Sequence, residues 1–244
     1  MEKFSETVKL NDLECYYEVY GQGEPLFLLH GWTQTTVSWE DYIEGFKDHF
    51  RVYVVDLLGH GKSSPLKTTF RLEDAAQQLI RLMDHLGIKS TKAIGFSYGG
   101  ELLLRASAEH PERFDSMILI GASHRFEKHD WGFTFEILNK GLQQFLLNTH
   151  AQGEEQVRLI FKEIENYESI LSETELQQIK VPTLVMVGDQ DEFVDLETAV
   201  NLHQSLPQSH LWIVPNSGHL AFGGMMEEQF IQTANEFLSG MWHI

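Results

Sequence analysis

The sequence places a serine where it could act as a nucleophile. Residues 95–99 read Gly-Phe-Ser-Tyr-Gly, with an apolar run before them and a helical pattern after them. Gly-x-Ser-x-Gly between a strand and a helix is typical of a nucleophile elbow, a sharp turn that presents Ser97 at the carboxyl edge of a sheet. Gly95 and Gly99 are expected because a side chain at either position would collide with the neighbouring strand and helix. The pattern also occurs by chance in glycine-containing loops, so its context must support it.

A serine nucleophile also needs a base, a group that orients the base, and donors for the oxyanion. His219 lies in a glycine-containing turn directly after the last predicted strand, and Asp189 and Asp191 lie in the turn that follows the predicted strand 183–187. The order along the chain is therefore serine, acid, histidine. These residues predict acyl transfer through a Ser-His-Asp triad.

Two aspartates compete for the acid position. Asp189 directly follows Gly188, where a short carboxylate often binds the backbone N–H groups of its own turn. Asp191 lies farther into the loop and has more freedom to point toward the histidine turn. Asp195 is closer to the next helix and suits an N-cap. We therefore expect Asp191 to orient His219 and Asp189 to stabilise its turn, with Asp189 as the alternative acid.

The elements around these residues predict an α/β fold. Short apolar runs alternate with helical patterns, which indicates a mostly parallel central sheet with helices on both faces. The alternation stops after the sixth predicted strand, and residues 122–180 are mainly helical by pattern. We expect a core domain formed by residues 1–121 and 181–244, with residues 122–180 inserted as a small helical cap. The insertion begins with three aromatic residues, Trp131, Phe133 and Phe135. These side chains either line an acyl pocket or join the cap to the core.

Composition and motifs exclude several other functions. A formal net charge of −18 disfavours binding to nucleic acid and to anionic membranes. A P-loop ending at Gly61-Lys62-Ser63 would need a glycine at Asp56, and there is no His-Glu-x-x-His zinc motif.

Cys15 is the only cysteine, which rules out an intramolecular disulfide. We expect no cofactor and no metal. Without a signal-peptide core or an apolar run of spanning length, we expect a cytoplasmic protein that does not insert into membranes.

Together these motifs resemble the capped α/β-hydrolases, and the similarity covers nearly the whole chain. The resemblance implies that the backbone N–H groups of Trp32, in the His-Gly-Trp turn 30–32, and of Tyr98 form the oxyanion hole. It also favours Asp191, which matches the acid position of the family. Some members of the family carry the acid after the strand that precedes the insertion. Residues 121–123 follow that predicted strand here, and they hold no carboxylate.

The resemblance implies the type of reaction. Relatives that open epoxides or displace halide carry an aspartate at the elbow, so Ser97 argues against both reactions. We expect hydrolysis of a carboxylic ester of a small, mostly apolar molecule through an acyl-enzyme. The alternatives are thioester hydrolysis, hydrolysis of the C–C bond of a vinylogous diketone, or ligand binding by a receptor that has kept the fold.

Overall fold

The computed structural model describes residues 3–66, 71–126 and 134–242 of the 244-residue chain. Strands and helices alternate along most of this part. The strands are β1 (Phe4–Leu10), β2 (Leu13–Tyr20), β3 (Glu24–Leu29), β4 (Phe50–Val55), β5 (Thr91–Phe96), β6 (Phe114–Ile120), β7 (Arg125–Phe126), β8 (Ser169–Ile170), β9 (Thr183–Gly188) and β10 (Ser209–Val214). The helices are α1 (Glu40–Phe46), α2 (Leu72–His85), α3 (Tyr98–Glu109), α4 (Lys140–Thr149), α5 (Glu154–Asn166), α6 (Glu173–Gln178), α7 (Leu196–Ser205) and α8 (Glu227–Leu238).

The long strands form one eight-stranded sheet in the order β1-β2-β4-β3-β5-β6-β9-β10. β1 and β2 form an antiparallel hairpin, and β2 also pairs antiparallel with β4. The other neighbours are parallel, so the carboxyl ends of β3, β5, β6 and β9 meet at one edge of the sheet. The predicted mostly parallel sheet is confirmed, and this edge is where the candidate catalytic residues lie.

Helices cover both faces of the sheet because each has an apolar stripe. In α2 the buried residues recur at helical spacing, as in Leu72, Ala75, Ala76 and Leu79. One apolar layer combines α2, α3 and α7 with one face of the sheet, and a second layer combines α1 and α8 with the other face. Within the described residues, no helix has the length and apolar character needed to cross a membrane.

The segment between β6 and β9 contains α4, α5 and α6, as its helical pattern predicts, together with one short strand pair. β7 and β8 form this two-residue antiparallel pair, which is too short to leave a periodic signal in the sequence. Hydrogen bonds tie the segment to the loop after β4: Ala151 N–H donates to Gly61 O at 2.8 Å, and the Gln156 side chain donates to Gly59 O at 3.0 Å.

Gly99 allows α3 to pass close to the end of β3. A Cβ built on Gly99 would lie 2.5 Å from Leu29 O and 2.8 Å from His30 O. Gly99→Ala must therefore displace backbone, and we expect a loss of about 1–3 kcal/mol in the free energy of unfolding. Gly141→Ala is the matched control, since Gly141 is also the second residue of a helix, and its Cβ would meet only the Asn139 side chain, at 3.3 Å. Urea denaturation of both variants checks the prediction, and equal stabilities would contradict it.

Candidate active site

Ser97 lies at the junction of β5 and α3 with φ +50° and ψ −117°. This left-handed backbone is unfavourable for a residue with a side chain, and the surrounding structure holds it in place. Ser97 N–H donates to Ile120 O at the end of β6 at 2.7 Å, and Ser97 O accepts from Gly100 N–H at 2.8 Å. The local geometry is that of a strained turn between strand and helix at the carboxyl edge of the sheet.

His219 and Asp191 meet across two turns at the same edge. His219 Nδ1 lies 2.9 Å from Asp191 Oδ2 and 3.0 Å from Oδ1. A carboxylate can only accept, so Nδ1 carries the proton and Nε2 is left as the nitrogen that can take a proton from a hydroxyl. The Asp191 side chain is fully buried, and its Oδ1 also accepts from the N–H groups of Phe193 and Val194, each at 2.9 Å.

These contacts keep Asp191 ionised. Burial alone raises the pKa of a carboxyl group, but the hydrogen bonds from His219, Val194 and Phe193 outweigh it and hold the pKa of Asp191 below its ordinary value. The ionised carboxylate both fixes the ring of His219 and stabilises an imidazolium when one forms.

The other two aspartates of this region bind backbone groups. Asp189 Oδ1 accepts from Ser217 N–H at 3.1 Å, so it ties its turn to the histidine turn rather than bonding within its own turn as expected. Asp195 is the N-cap of α7 and accepts from Thr198 N–H at 2.7 Å, which confirms the predicted cap. Of the three aspartates, Asp191 is the one in contact with the His219 ring.

Two buried histidines fix the loop that carries Trp32. His30 Nε2 accepts from Leu57 N–H at 3.0 Å, while its Nδ1 donates to Gly31 O at 2.8 Å. His60 Nε2 accepts from Thr33 N–H at 3.2 Å. Burial lowers the pKa of His30 to about 3 and holds that of His60 well below its ordinary value, so both rings are neutral. They position the loop without adding charge, a role that the sequence analysis did not predict.

The indole of Trp32 stacks on the ring of Tyr98, with ring centroids 4.3 Å apart. This contact joins the loop after β3 to the first residue of α3. The two residues named as oxyanion donors therefore belong to adjacent segments of the fold. Trp32 lines the same cavity as Ser97.

Ser97 and His219 open onto one cavity of about 430 Å³. Its size suits a small molecule, and its lining is mainly apolar. The apolar lining residues include Phe96, Phe126, Ile164, Phe193, Val194 and Leu220. The described lining residues include no Lys or Arg, and the ionisable members are Glu101, Glu192 and His219. The described part of the lining therefore offers no Lys or Arg to pair with an anionic substrate.

Of the three aromatic residues predicted at the start of the insertion, the structure describes Phe135, which is not part of this lining. Trp131 and Phe133 lie outside the described residues. Phe135 is buried in a small cluster with Leu146, Val157 and Phe161, and its ring centroid lies 6.0 Å from that of Phe161. In the described part of the chain, Phe135 thus packs the insertion internally, because its neighbours on α4 and α5 are apolar. Among the described residues, the Trp, Tyr and Phe rings that line the cavity are Trp32, Phe96, Phe126 and Phe193, and the sequence analysis missed the last three.

Glu101 is a further residue that sequence reasoning missed. It lies one turn into α3, lines the cavity and is only 4% exposed. Its Oε2 has no hydrogen-bond partner among the residues that the structure describes. Burial raises the pKa of Glu101 from its ordinary value of 4.5 to about 8, although the Tyr167 hydroxyl and Ser123 N–H act in the opposite direction. The available signal was a lone acidic residue four positions after Ser97 in an apolar helix.

The raised pKa of Glu101 predicts a pH-dependent effect of Glu101→Gln on stability. Between about pH 4.5 and 8 the folded state holds a proton that the unfolded state has released. The parent therefore loses stability as pH rises through this window, by about 1.4 kcal/mol per pH unit at most, whereas the glutamine variant does not. We expect Glu101→Gln to gain stability relative to the parent between pH 5 and 8, measured by urea denaturation.

The exposed Glu109 on the same helix gives the control for this measurement. Glu109→Gln should change stability by a similar amount at both pH values. A Glu101→Gln effect that is equally independent of pH would show that the Glu101 carboxyl is ionised in the folded protein and contradict the prediction.

The chain belongs to the α/β-hydrolase fold family. The sequence model of the alpha/beta hydrolase fold family matches residues 24–160 and 151–223, which together cover most of the chain. This confirms the resemblance drawn from the elbow, the His-Gly-Trp turn and the order of the serine, acid and histidine along the chain. Across the described residues, no group of three or more His, Cys, Asp or Glu side chains is arranged to hold a metal ion.

The chain is also similar to characterised hydrolases over nearly its full length. It is 28% identical to a pimeloyl-[acyl-carrier protein] methyl ester esterase from Vibrio cholerae, covering 92% of this chain and 98% of the relative. A serine hydrolase from Cycloclasticus zankles superposes with a TM-score of 0.86 at 21% identity over 100% of both chains. The carboxylesterase CesB from Bacillus subtilis superposes with a TM-score of 0.80 at 22% identity, covering 98% of this chain and 93% of CesB.

Proposed function

We propose that this protein is a serine hydrolase that cleaves a carboxylic ester of a small, mostly apolar molecule through an acyl-enzyme. The observation that carries the proposal is that His219, paired with the buried Asp191 at 2.9 Å, lines the same mainly apolar cavity as the elbow serine. The similarity to the Vibrio cholerae methyl ester esterase supports ester hydrolysis in particular. We further propose that residues 122–180 act as a cap, since this segment contributes Phe126 and Ile164 to the cavity lining.

The first half-reaction forms the acyl-enzyme. Ser97 Oγ attacks the ester carbonyl carbon while His219 Nε2 takes the serine proton, and the carbonyl π electrons move onto the oxygen. The N–H groups of Trp32 and Tyr98 donate to that oxyanion. Asp191 stabilises the imidazolium that has formed. When the carbonyl reforms, the C–O bond to the alcohol breaks, and His219 gives its proton to the leaving alkoxide.

The second half-reaction releases the acid. A water molecule loses a proton to His219 and attacks the acyl carbon, and the same two N–H groups stabilise the second oxyanion. Collapse of this intermediate breaks the bond to Ser97 Oγ, which regains its proton from His219. The products are a carboxylic acid and an alcohol, and the enzyme returns to its starting state.

A substrate screen tests the proposed function. We expect measurable kcat/KM on p-nitrophenyl esters of short and medium acyl chains, and weaker activity on a matched thioester and on a vinylogous diketone. A preference for the thioester or the diketone would replace ester hydrolysis by one of these reactions. Tight binding of a small apolar ligand without turnover of any of these compounds would instead indicate a receptor.

The proposed role of His219 predicts loss of activity in acid. A protonated imidazole cannot accept the proton of Ser97, so kcat/KM for an uncharged ester should fall by about tenfold per pH unit on the acidic limb of its profile. Measurement between about pH 5 and 8 checks this. The same acidic limb should persist in Glu101→Gln, which separates His219 from the buried glutamate. A flat profile in both proteins would contradict a histidine base.

A further inference from the structure

The loop after β3 passes the nucleophile in a tight turn formed by residues 31–34. Gln34 N–H donates to Gly31 O at 3.2 Å, which closes the turn. The turn lies against the elbow, because a Cβ built on Gly31 would be 2.9 Å from the Phe96 ring and 3.3 Å from Ser97 Cβ. The close approach requires glycine at position 31, and glycine is the residue with the most backbone freedom.

Gln34 binds both backbone groups of Gly31. Its main-chain N–H holds Gly31 O, and its side-chain Oε1 accepts from Gly31 N–H at 3.1 Å. His30 Nδ1 donates to the same Gly31 O at 2.8 Å. The peptide groups on the two sides of the Gly31 Cα are thus both held, and rotation about the φ or ψ of Gly31 would break at least one of these bonds. Gln34 thereby offsets the freedom that glycine brings to the turn.

The orientation of Gly31 O determines the orientation of Trp32 N–H. The two belong to the same peptide group, which is trans. In a trans peptide group the C=O and the N–H lie close to one plane and point in opposite directions. The bonds that hold Gly31 O therefore also fix the direction of Trp32 N–H. Rotation of this peptide group would turn the proposed oxyanion donor away from the reacting carbonyl.

The turn also contains a residue with an unfavourable backbone conformation. Thr33 has a φ of +64°, a left-handed value that is unfavourable for a β-branched residue. Its N–H donates to Nε2 of the buried His60 at 3.2 Å. A strained backbone persists only where the surrounding structure holds it. Loss of the side-chain bond from Gln34 should therefore allow the turn to relax away from the conformation that the site needs.

We propose that Gln34 is a positioning residue of the oxyanion hole. Its side-chain carbonyl holds Gly31 N–H and so keeps Trp32 N–H directed at the oxygen of the reacting carbonyl. This inference rests on the proposed acyl transfer and on Trp32 as an oxyanion donor. An amide suits the role because it does not titrate, so the bond to Gly31 N–H does not depend on pH.

Gln34 also lines the cavity, so direct contact between its amide nitrogen and the substrate is the alternative explanation of any effect. Gly31 N–H can only donate, which identifies the amide atom that faces it as the carbonyl oxygen. Substitution separates the two atoms. Gln34→Glu keeps an acceptor at the same distance along the side chain and removes both N–H donors. Gln34→Met keeps the length, with a thioether that accepts weakly and donates nothing.

A substrate with sulfur in place of the carbonyl oxygen tests the role of Gln34. Sulfur accepts hydrogen bonds weakly, so a thionoester loses much of the stabilisation that an oxyanion hole gives to the oxygen ester. We compare kcat/KM for p-nitrophenyl butanoate and p-nitrophenyl thionobutanoate and divide their ratio by that of the alkaline hydrolysis rates. The proteins are the parent, Gln34→Met, Gln34→Leu and Gln34→Glu. Gln178→Met, which changes an exposed glutamine of α6, is the control.

We expect the parent to favour the oxygen ester by about 10²-fold after this correction. Gln34→Met and Gln34→Leu should lower the ratio by about tenfold or more, through a lower kcat/KM for the oxygen ester. Gln178→Met should keep the parent ratio. The main-chain bond from Gln34 to Gly31 O remains in every variant, so each should fold, and thermal denaturation checks this. A merely structural role would slow both esters in proportion and leave the ratio unchanged, which would overturn the inference.

Gln34→Glu decides between the two atoms of the amide. Its added charge should slow both esters, since both form an anionic intermediate, but the ratio should stay that of the parent. A ratio as low as in Gln34→Met would assign the effect to the N–H donors and overturn the role of Oε1. A parent ratio of about one would overturn the inference as well, because no oxyanion hole would then be acting. Failure of the parent to hydrolyse either ester would instead contradict the proposed function.

Discussion

Ser97→Ala is expected to remove nearly all ester hydrolysis, with a fall of about 10³-fold or more in kcat. Alanine keeps the Cβ and the backbone of the elbow but removes the oxygen that forms the acyl bond. The strained φ of +50° is equally unfavourable for alanine and serine, so thermal stability should stay close to that of the parent. Steady-state kinetics and thermal denaturation of the same preparation check both expectations.

Two further variants control for folding. Ser107→Ala removes the hydroxyl of a serine within α3, which donates to Leu104 O at 3.1 Å, and it should retain activity. Ser97→Gly should be as inactive as Ser97→Ala but more stable, because glycine adopts positive φ without strain. A folded Ser97→Ala protein with most of the parent esterase rate would rule out the mechanism.

Asp191→Asn is expected to lower kcat by up to about 10⁴-fold while the fold is kept. The asparagine carbonyl can still accept from the N–H groups of Phe193 and Val194, which now donate to Asp191 Oδ1 at 2.9 Å. Its amide nitrogen would then face His219 as a donor. His219 Nδ1 must accept from it, which puts the ring proton on Nε2 and prevents Nε2 from taking the serine proton.

Asp189→Asn is the matched control for this change. The two aspartates lie in the same turn, but Asp189 accepts from Ser217 N–H at 3.1 Å and an asparagine carbonyl can do the same. We expect this variant to lose less than about tenfold in kcat. Any other effect should be confined to a lower melting temperature. The opposite pattern, an active Asp191→Asn and an inactive Asp189→Asn, would assign the orienting acid to Asp189.

Much of the fold could be predicted because its determinants are local in sequence. Strands covered on both faces, such as β3 and β5, are continuous apolar runs, and the amphipathic helices show a 3.6-residue period. The elbow could be recognised because Gly95 and Gly99, which are required by close backbone contacts, both lie within two residues of Ser97. The turns after β9 and β10 could be placed at the same edge as the elbow because parallel strands end together.

The lining of the cavity could not be predicted in the same way. Phe126 and Phe193 are far apart in sequence and meet the cavity only through the tertiary fold. Phe135 has the composition expected of a pocket residue but packs against Phe161 instead, since apolar residues suit both positions equally. The burial of the Glu101 carboxyl depends on what surrounds α3, and no local pattern reports that environment.

The central claim is that Ser97 is an activated nucleophile, and covalent labelling with a p-nitrophenyl alkylphosphonate tests it most directly. Attack by Ser97 Oγ on phosphorus expels p-nitrophenolate and leaves a stable phosphonyl ester. We predict one equivalent of p-nitrophenolate per chain, complete loss of esterase activity, and a phosphonyl group on Ser97 located by peptide mass spectrometry. Labelling should be much slower in Asp191→Asn. Inactivation with the phosphonyl group on another residue, or continued ester hydrolysis without labelling of Ser97, would contradict the account.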